Sequence, residues 1–159
     1  MKNILITFIA LFFAIESNAQ IVKADIIATG LTCSMCSKSI YKQLSSLPEV
    51  ASVDTDLNTN TFTVNMKSNT NVSPKIFKEN VEKAGFFIGS LVVSVNPKTL
   101  EKYIHVEKKQ VPNTKQVQVQ ILDKGFVTDK EFKKLVKKHK DVPTYTAGNE
   151  NNFHFRIVN

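Results

Sequence analysis

The sequence has little of what defines most enzymes and membrane proteins. It contains two cysteines among 159 residues, so any thiol chemistry rests on a single pair. Its longest almost unbroken apolar run, residues 4–15, spans 12 residues and is interrupted by Thr7, whereas a membrane span needs about 20. The chain shows no nucleophile beside a base, no paired acids and no phosphate-binding loop. We therefore expect a protein that is not an enzyme.

The amino terminus has the pattern of an export signal. A short basic start at Lys2 precedes the apolar run, and the small residues Ser17 and Ala19 follow it. This order is typical of a secretory signal peptide over residues 1–19, with the mature chain beginning at Gln20 in the periplasm or outside the cell. No cysteine closely follows the run, so no lipid attachment is expected. The alternative is an anchor that stays uncleaved.

The charge of the chain is unevenly distributed. Hydrophobic residues make up 42% and charged residues 22%, as in ordinary folded proteins, and the net charge is +7. Residues 20–97 carry 7 Lys against 6 Asp and Glu, whereas residues 98–159 carry 12 Lys and 1 Arg against 7 Asp and Glu. The basic part is either a solvated surface or a contact site for an acidic partner or an anionic membrane surface. We expect no nucleic-acid partner.

Residues 20–97 alternate between strand and helix patterns. Apolar residues at period two predict strands over 21–29, 50–57, 61–66 and 86–95. Helical stripes predict a helix after Cys36 that Pro48 stops, and a second helix capped by Ser73 and ended by Gly85. The order β-α-β-β-α-β predicts an α+β fold: a ferredoxin-like sandwich with both helices on one face of a four-stranded antiparallel sheet.

Residues 98–159 predict a smaller β-β-α-β unit that resembles no family we recognise. Strands are predicted over 100–107, with 103–106 as the clearest segment, and over 115–122 and 152–158. The helix over 128–139 is capped by Thr128 and carries an outer row of lysines. Such a unit is too small to bury much surface alone. We expect it to pack on residues 20–97, or to form a small lobe tethered by Asn96 and Pro97. A degenerate second ferredoxin-like half without cysteines is a further alternative.

The two cysteines lie in one loop between a strand and a helix. Residues 30–36 read Gly-Leu-Thr-Cys-Ser-Met-Cys, and this segment resembles the Gly-Met-Thr-Cys-x-x-Cys signature of heavy-metal-associated domains. That family includes copper chaperones, the amino-terminal modules of copper-transporting ATPases and periplasmic mercury-binding proteins. The resemblance implies that Cys33 and Cys36 are the metal ligands.

The residues around the cysteines follow the family with two departures. We expect Thr32 and Ser34 to shape the loop, and Leu31 and Phe86 to shield it. Leu31 stands where the family usually has Met, a volume-conserving exchange. Phe86 stands where many bacterial members carry Tyr and some eukaryotic members Lys, so that position offers neither a hydroxyl group nor a charge.

Two thiolates near a helix start suit a soft metal ion. The helix dipole and free backbone N–H groups favour the thiolate form, which is the form that binds metal. Sulfur ligands select soft ions, whereas Zn(II) prefers four ligands, and the loop offers no His, Asp or Glu. We therefore favour Cu(I), then Hg(II), with Zn(II) weaker. An open two-coordinate site would also allow transfer to a metal-transporting ATPase or another metal acceptor.

Other uses of the cysteines stay open at this point. In an oxidising compartment the pair could exchange disulfides with other proteins, or could form an inert bridge. Met35 lies between the cysteines, but we expect it to project outward, and we expect Met66 in the core. The three histidines, 105, 139 and 154, have no partner at metal-ligand spacing, so we expect surface or hydrogen-bonded roles for them.

Overall fold

The computed structural model describes residues 21–107, 109–146 and 152–158. The predicted signal peptide, residues 1–19, lies outside the described residues. The elements in chain order are β1 (Ile21–Thr29), α1 (Ser34–Ser45), β2 (Val50–Asp56), β3 (Thr61–Met66), α2 (Lys75–Lys83), β4 (Phe87–Val95), a 3-10 helix (Pro97–Lys102), β5 (Ile104–His105), β6 (Val117–Ile121), α3 (Asp129–Lys138), α4 (Pro143–Thr146) and β7 (His154–Ile157).

The strands form one sheet in the order β2-β3-β1-β4-β6-β7-β5. Its first four strands pair antiparallel, and α1 and α2 pack together against their inner face. Apolar side chains of both helices, such as Ile40 and Phe77, are fully buried in one cluster with Ile26 and Phe62 of the strands. The predicted β-α-β-β-α-β order and its ferredoxin-like sheet are therefore confirmed.

Small departures occur where these elements end. Pro74, rather than Ser73, is the residue before α2, although the Ser73 hydroxyl still accepts a hydrogen bond from the Lys75 backbone. The second strand was predicted to extend to residue 57, but β2 ends at Asp56 and Leu57 is exposed in the turn that follows. Strand β2 is at an edge of the sheet.

The sheet continues past the predicted boundary at residue 97. Strand β6 pairs antiparallel with β4 from Leu91–Ile121 to Val95–Val117, and β7 then pairs with β6. The inward-facing residues of β6 and β7 belong to the same apolar cluster as those of β1 and β4. A separate carboxy-terminal β-β-α-β lobe is not confirmed, because its strands extend the first sheet. The boundary at residues 97 and 98 stays a prediction.

The segment after β4 begins as a helix rather than a strand. Asn96 caps a 3-10 helix through its side chain, which accepts a hydrogen bond from the Lys98 backbone N–H, and Pro97 occupies the first helical position. The predicted strand over 103–106 is reduced to β5, which pairs parallel with β7. In the described part of the chain, no helix is long and apolar enough to span a membrane.

Helix α3 covers a second, smaller apolar cluster. Thr128 caps the helix as predicted, accepting a hydrogen bond from the Glu131 backbone N–H at 3.2 Å. The cluster lies under α3 and α4, and its buried members are Val106, Leu122, Val127, Leu135 and Tyr145. This packing turns the apolar stripe of α3 inward and leaves its lysines on the outer face.

Candidate metal centre

The cysteine loop leaves the sheet at the end of β1. Thr29 pairs with Phe87, and Gly30 then takes φ +87°, a backbone conformation that side chains with a Cβ rarely adopt. A Cβ at position 30 would lie 3.8 Å from the ring of Phe86, so this ring stands beside the loop. Leu31 packs against the main apolar cluster, as the prediction of a shielding residue requires. The loop is thus fixed at its base.

The loop holds the two sulfurs at the amino-terminal end of α1. Cys33 is the residue before the helix and has extended backbone angles, and Cys36 lies in the first turn, its N–H bonded to the Cys33 carbonyl at 3.1 Å. The two sulfurs are 3.0 Å apart, and both thiols are free. Cys33 is exposed and Cys36 is partly exposed. A ligand or a partner protein can therefore reach both sulfurs from solvent.

The surroundings of Cys36 favour its ionised form. The hydrogen bond from the Cys33 thiol, followed by the backbone contact from Thr32, lowers the pKa of the Cys36 thiol from 9.0 to about 7. The first turn of α1 contains no acidic residue that would offset the positive end of the helix dipole. At neutral pH the Cys36 thiol is therefore more readily ionised than an ordinary cysteine, and the thiolate is the form that attacks disulfides and binds metals.

The geometry allows a metal ion to enter with only a local rearrangement. A metal–thiolate bond of about 2.3 Å, the value for zinc, would place two sulfurs in a linear complex about 4.6 Å apart. The sulfurs must therefore separate from their 3.0 Å contact, by side-chain rotation. Rotation is unhindered at Cys33, which is exposed. Among the described residues, no group of three or more His, Cys, Asp or Glu is placed to hold a metal ion.

The neighbouring residues lie much as the sequence predicted. Thr32 and Ser34 are exposed on either side of Cys33. Met35 is 67% exposed and projects outward, whereas Met66 is buried in the core. Both methionine predictions are confirmed. Thr29 adds a support that the sequence did not reveal, because its hydroxyl donates a 3.3 Å hydrogen bond to the Phe87 carbonyl.

The histidines lie away from the cysteine loop, two of them in a cluster that sequence reasoning missed. His154 is 1% exposed, and its Nδ1 lies 2.7 Å from an Asp123 carboxylate oxygen. The Nε2 atom of the same ring lies 2.9 Å from the Thr144 hydroxyl. His139 is buried near Tyr145, and His105 stacks on Phe155. His154 is hydrogen-bonded, as predicted, but spacing alone could not have found partners 31 and 10 residues away.

The Asp123 carboxyl group of this cluster is largely withdrawn from water. Burial raises its pKa above the usual 3.8, although the hydrogen bonds from His154 act in the opposite direction. The carboxylate also accepts a 2.7 Å hydrogen bond from the His154 backbone N–H. These contacts fasten the start of β7 to the segment after β6.

A small ferredoxin-like sandwich with two reactive thiols at the start of its first helix defines a class of metal-binding domain. The family profile of the heavy-metal-associated domain matches residues 26–87, which contain both cysteines, the end of β1, and all of α1, β2, β3 and α2. Through this segment the chain belongs to the heavy-metal-associated domain family.

Several solved structures are similar to parts of the chain. The yeast copper transporter domain Ccc2a, solved in apo and Cu(I)-loaded states, is 32% identical over 41% of this chain and 88% of that domain, with a TM-score of 0.37. The water-soluble region of the P-type ATPase CopA from Bacillus subtilis is 24% identical over 45% of this chain and 47% of that chain, with a TM-score of 0.39.

A third similarity extends over most of the chain. The amino-terminal soluble domains of Bacillus subtilis CopA align with 88% of this chain and 95% of that chain, at 16% identity and a TM-score of 0.42. A comparison with the curated proteins finds no match.

Proposed function

We propose that the protein binds one Cu(I) ion between Cys33 and Cys36 and carries or sequesters it outside the cytoplasm. The observation that carries the proposal is the pair of free sulfurs 3.0 Å apart at a helix start, with the Cys36 pKa lowered to about 7. Soft, two-coordinate ligation suits Cu(I) and Hg(II) better than Zn(II), which prefers four ligands. The Cu(I)-loaded state of the similar yeast domain supports the same ion.

The proposed role is transport rather than catalysis. An ion held by two exposed sulfurs can accept a third sulfur from a partner, so it can pass to an acceptor without being released into water. A metal-transporting ATPase or another metal-binding protein is the proposed acceptor, and the ATPase CopA among the similar structures supports this choice. The proposed location, periplasmic or extracellular, rests on the signal-peptide pattern of residues 1–19.

Disulfide exchange is the second candidate function. The 3.0 Å sulfur contact and the lowered Cys36 pKa suit attack on a disulfide as well as metal binding. The two functions differ in what the reduced pair does. A carrier retains Cu(I) tightly and need not turn over disulfides, whereas an exchange protein reduces a disulfide substrate as its own two thiols are oxidised to a disulfide.

Anaerobic titration of the reduced chain with Cu(I), against a chromophoric chelator, tests the proposal. We expect one tightly held ion per chain, and no such binding in the Cys33→Ser, Cys36→Ser double variant. Met35→Leu is the matched control, because it removes the only other sulfur of the loop and should bind normally. Reduced protein that leaves all the Cu(I) with the chelator would refute metal carriage, and turnover of a disulfide substrate would then favour exchange.

The proposed export has its own test. Mass spectrometry of the protein recovered from the culture medium or periplasm should show a first residue of Gln20. A mass that begins at Met1 would contradict cleavage. Metal analysis of the same material, purified without oxygen, identifies the ion that the protein holds in its own compartment.

A further inference from the structure

Three side chains outside the metal centre form a line of hydrogen bonds: a hydroxyl group, an imidazole and a carboxylate. His154, at the start of β7, lies between Asp123, which follows β6, and Thr144 in α4. The Nδ1 atom of His154 is 2.7 Å from an Asp123 carboxylate oxygen, and its Nε2 atom is 2.9 Å from the Thr144 hydroxyl oxygen. We call these three residues the triad. The fold therefore places a hydroxyl beside a base, although the sequence pattern shows no such pair.

The partners of His154 indicate which ring nitrogen carries the proton. A carboxylate accepts hydrogen bonds and cannot donate them, so Nδ1, which faces Asp123, is the protonated nitrogen. The same carboxylate accepts a 2.7 Å hydrogen bond from the His154 backbone N–H. In the neutral ring Nε2 then has a free electron pair, and the Thr144 hydroxyl donates its hydrogen bond to it. The hydroxyl proton thus points at a base.

Packing holds the imidazole and the hydroxyl in these positions. His154 is 1% exposed, and the Tyr145 ring meets the imidazole edge-on, with centroids 5.1 Å apart. The Tyr145 hydroxyl donates a 2.7 Å hydrogen bond to the Leu122 carbonyl, which attaches α4 to the end of β6. Because Tyr145 directly follows Thr144, these contacts also keep Thr144 next to the ring. A base that is positioned in advance needs little rearrangement before it accepts a proton.

Thr144 is the member of the triad that solvent reaches. This residue is exposed, whereas the imidazole beside it is buried. A molecule from solution can therefore meet the hydroxyl, on the side away from its hydrogen bond to Nε2. A hydroxyl with a base on one side and an open approach on the other is the arrangement that activates an oxygen nucleophile.

From this geometry we propose that Thr144 is a modification site, whose hydroxyl takes an acyl group from an ester or thioester with a good leaving group. The Thr144 oxygen forms a bond to the acyl carbon, and the bond from this carbon to the leaving group breaks. The hydroxyl proton passes to Nε2 of His154, and the leaving group departs as an anion that later takes this proton. Asp123 is a positioning residue, because it orients the ring and balances the imidazolium charge.

The burial of His154 favours a retained acyl group over repeated turnover. Hydrolysis of the ester requires a water molecule that Nε2 activates. Because the imidazole is 1% exposed and Nε2 faces Thr144, water has little space to lie between this nitrogen and an ester on Thr144. We therefore expect one acyl group per chain that leaves slowly.

A purely structural set of hydrogen bonds is the competing interpretation. In that case the Thr144 hydroxyl would be no more reactive than other exposed threonine hydroxyls. Two threonines of the same chain serve as internal standards, because each is exposed and donates its hydrogen bond to an oxygen rather than an imidazole. The Thr59 hydroxyl is 2.9 Å from an Asp56 carboxylate oxygen, and the Thr114 hydroxyl is 2.7 Å from the Gln116 carbonyl oxygen.

The position of the proton on His154 is the first test. Nitrogen-15 NMR of the full chain distinguishes the two neutral tautomers from each other and from the doubly protonated ring. We expect a proton on Nδ1 and none on Nε2 at neutral pH. Asp123→Asn should move part of the population to the other tautomer, which a merely structural role of Asp123 would not do. A proton on Nε2 of the unaltered chain would make Thr144 an acceptor and overturn the proposal.

Acetylation by p-nitrophenyl acetate, followed by peptide mass spectrometry, is the second test. The full chain used here carries Cys33→Ser and Cys36→Ser, since the thiols would otherwise consume the reagent. We expect Thr144 to be acetylated about a hundredfold faster than Thr59 or Thr114, at the lower end of what a general base contributes. Because the three rates come from one chain, a folding difference cannot explain their ratio. Equal rates would overturn the proposal.

Substitutions assign the reactivity to the triad. Thr144→Ser keeps the hydroxyl and should be acetylated at least as fast, whereas Thr144→Val should leave this position unmodified. His154→Gln keeps a polar side chain but removes the base, so the rate at Thr144 should fall to that of Thr59; circular dichroism checks that this variant is folded. Thr114→Val is the matched control and should not change the rate at Thr144. A folded His154→Gln chain with an unchanged Thr144 rate would contradict the role of the imidazole.

The release of p-nitrophenolate separates modification from turnover. We expect a single burst that is absent from Thr144→Val, and no steady release above the level of that variant. Continued release that requires Thr144 would make the site an esterase and overturn a retained modification. Since the chain used in this test lacks both cysteines, none of these results depends on whether the protein binds Cu(I).

Discussion

The two halves of the single sheet differ in how their elements reach stability. In β1 to β4 and their two helices, the inward positions are apolar and recur at regular spacing, and Lys nearly balances Asp and Glu. In residues 98–158 the strands are shorter, and the buried side chain of His154 connects the segments around them through hydrogen bonds to Asp123 and Thr144. The first half carries the chemistry of the cysteines, and the second half adds most of the net charge.

The comparison shows that the second half depends on the first for its core. Phe155 and Ile121 are buried in the same cluster as Ile26 and Phe62. Strands β5, β6 and β7 are short, and β5 has only two residues. These three strands alone could not bury such side chains. We therefore expect the two halves to unfold together, although their sequences differ in character.

The largest loss of stability is expected when a buried aromatic side chain is removed on either side of the predicted boundary at residue 97. Phe155→Ala, in β7, and Phe62→Ala, in β3, should each lower the free energy of unfolding by about 3–5 kcal/mol, because each opens a cavity in a packed core. If the halves form one cooperative unit, both variants accelerate hydrogen exchange of the same β1 and β4 amides. If the Phe155→Ala variant leaves hydrogen exchange of the β1 amides unchanged, the two halves are instead independent units.

A smaller loss is expected where polar contacts, rather than apolar ones, join the second half. Asp123→Ala removes two 2.7 Å hydrogen bonds, to the ring and the backbone of His154. We expect a loss of about 2–4 kcal/mol, since the buried donors of His154 lose their acceptors. Denaturant unfolding measures it. Cu(I) affinity should be unchanged, and a parallel fall in affinity would show that the halves are more tightly coupled than we propose.

The contact at Gly89 offers a finer test of the junction. Gly89→Ala places a methyl group 2.5 Å from the Thr29 methyl, and we expect a loss of about 1–3 kcal/mol from overpacking. Thr29→Ser removes the opposing methyl but keeps the hydroxyl group that bonds to Phe87. The double variant should therefore recover most of the stability. A double variant no more stable than Gly89→Ala would mean that the strain arises elsewhere.

The smallest effect belongs to the first half alone and concerns the pH dependence of Cys36. Between pH 6 and pH 8 the thiolate fraction of a thiol with a pKa of about 7 rises about tenfold, whereas that of a thiol with a pKa of 9.0 rises about ninetyfold. We expect the shallower rise in the alkylation rate at Cys36, followed by peptide mass spectrometry. Cys33→Ala removes the main cause of the lowered pKa, so it should steepen the profile. An unchanged profile would contradict the role of the Cys33 hydrogen bond.

Sequence patterns predicted the first half more accurately than the second for a physical reason. Side chains at Ile26, Phe62 and Val64 alternate strictly because one face of their strands is buried under helices, so period two is visible in the sequence. In the second half, the 3-10 helix that Pro97 begins includes residues 100–102, the start of a predicted strand. The hydrogen bonds of His154 were expected, but its partners Asp123 and Thr144 are 31 and 10 residues away in the chain, so no local pattern could identify them.

The sequence by itself determined the cysteine pair, its place between a strand and a helix, and the order of the first six elements. These features depend on neighbouring residues, whose spacing fixes local structure. Tertiary structure alone decided that β6 joins β4 and that the main apolar cluster continues across both halves of the sheet. Strand pairing and packing join residues far apart in the chain, and no local periodicity specifies which partners meet.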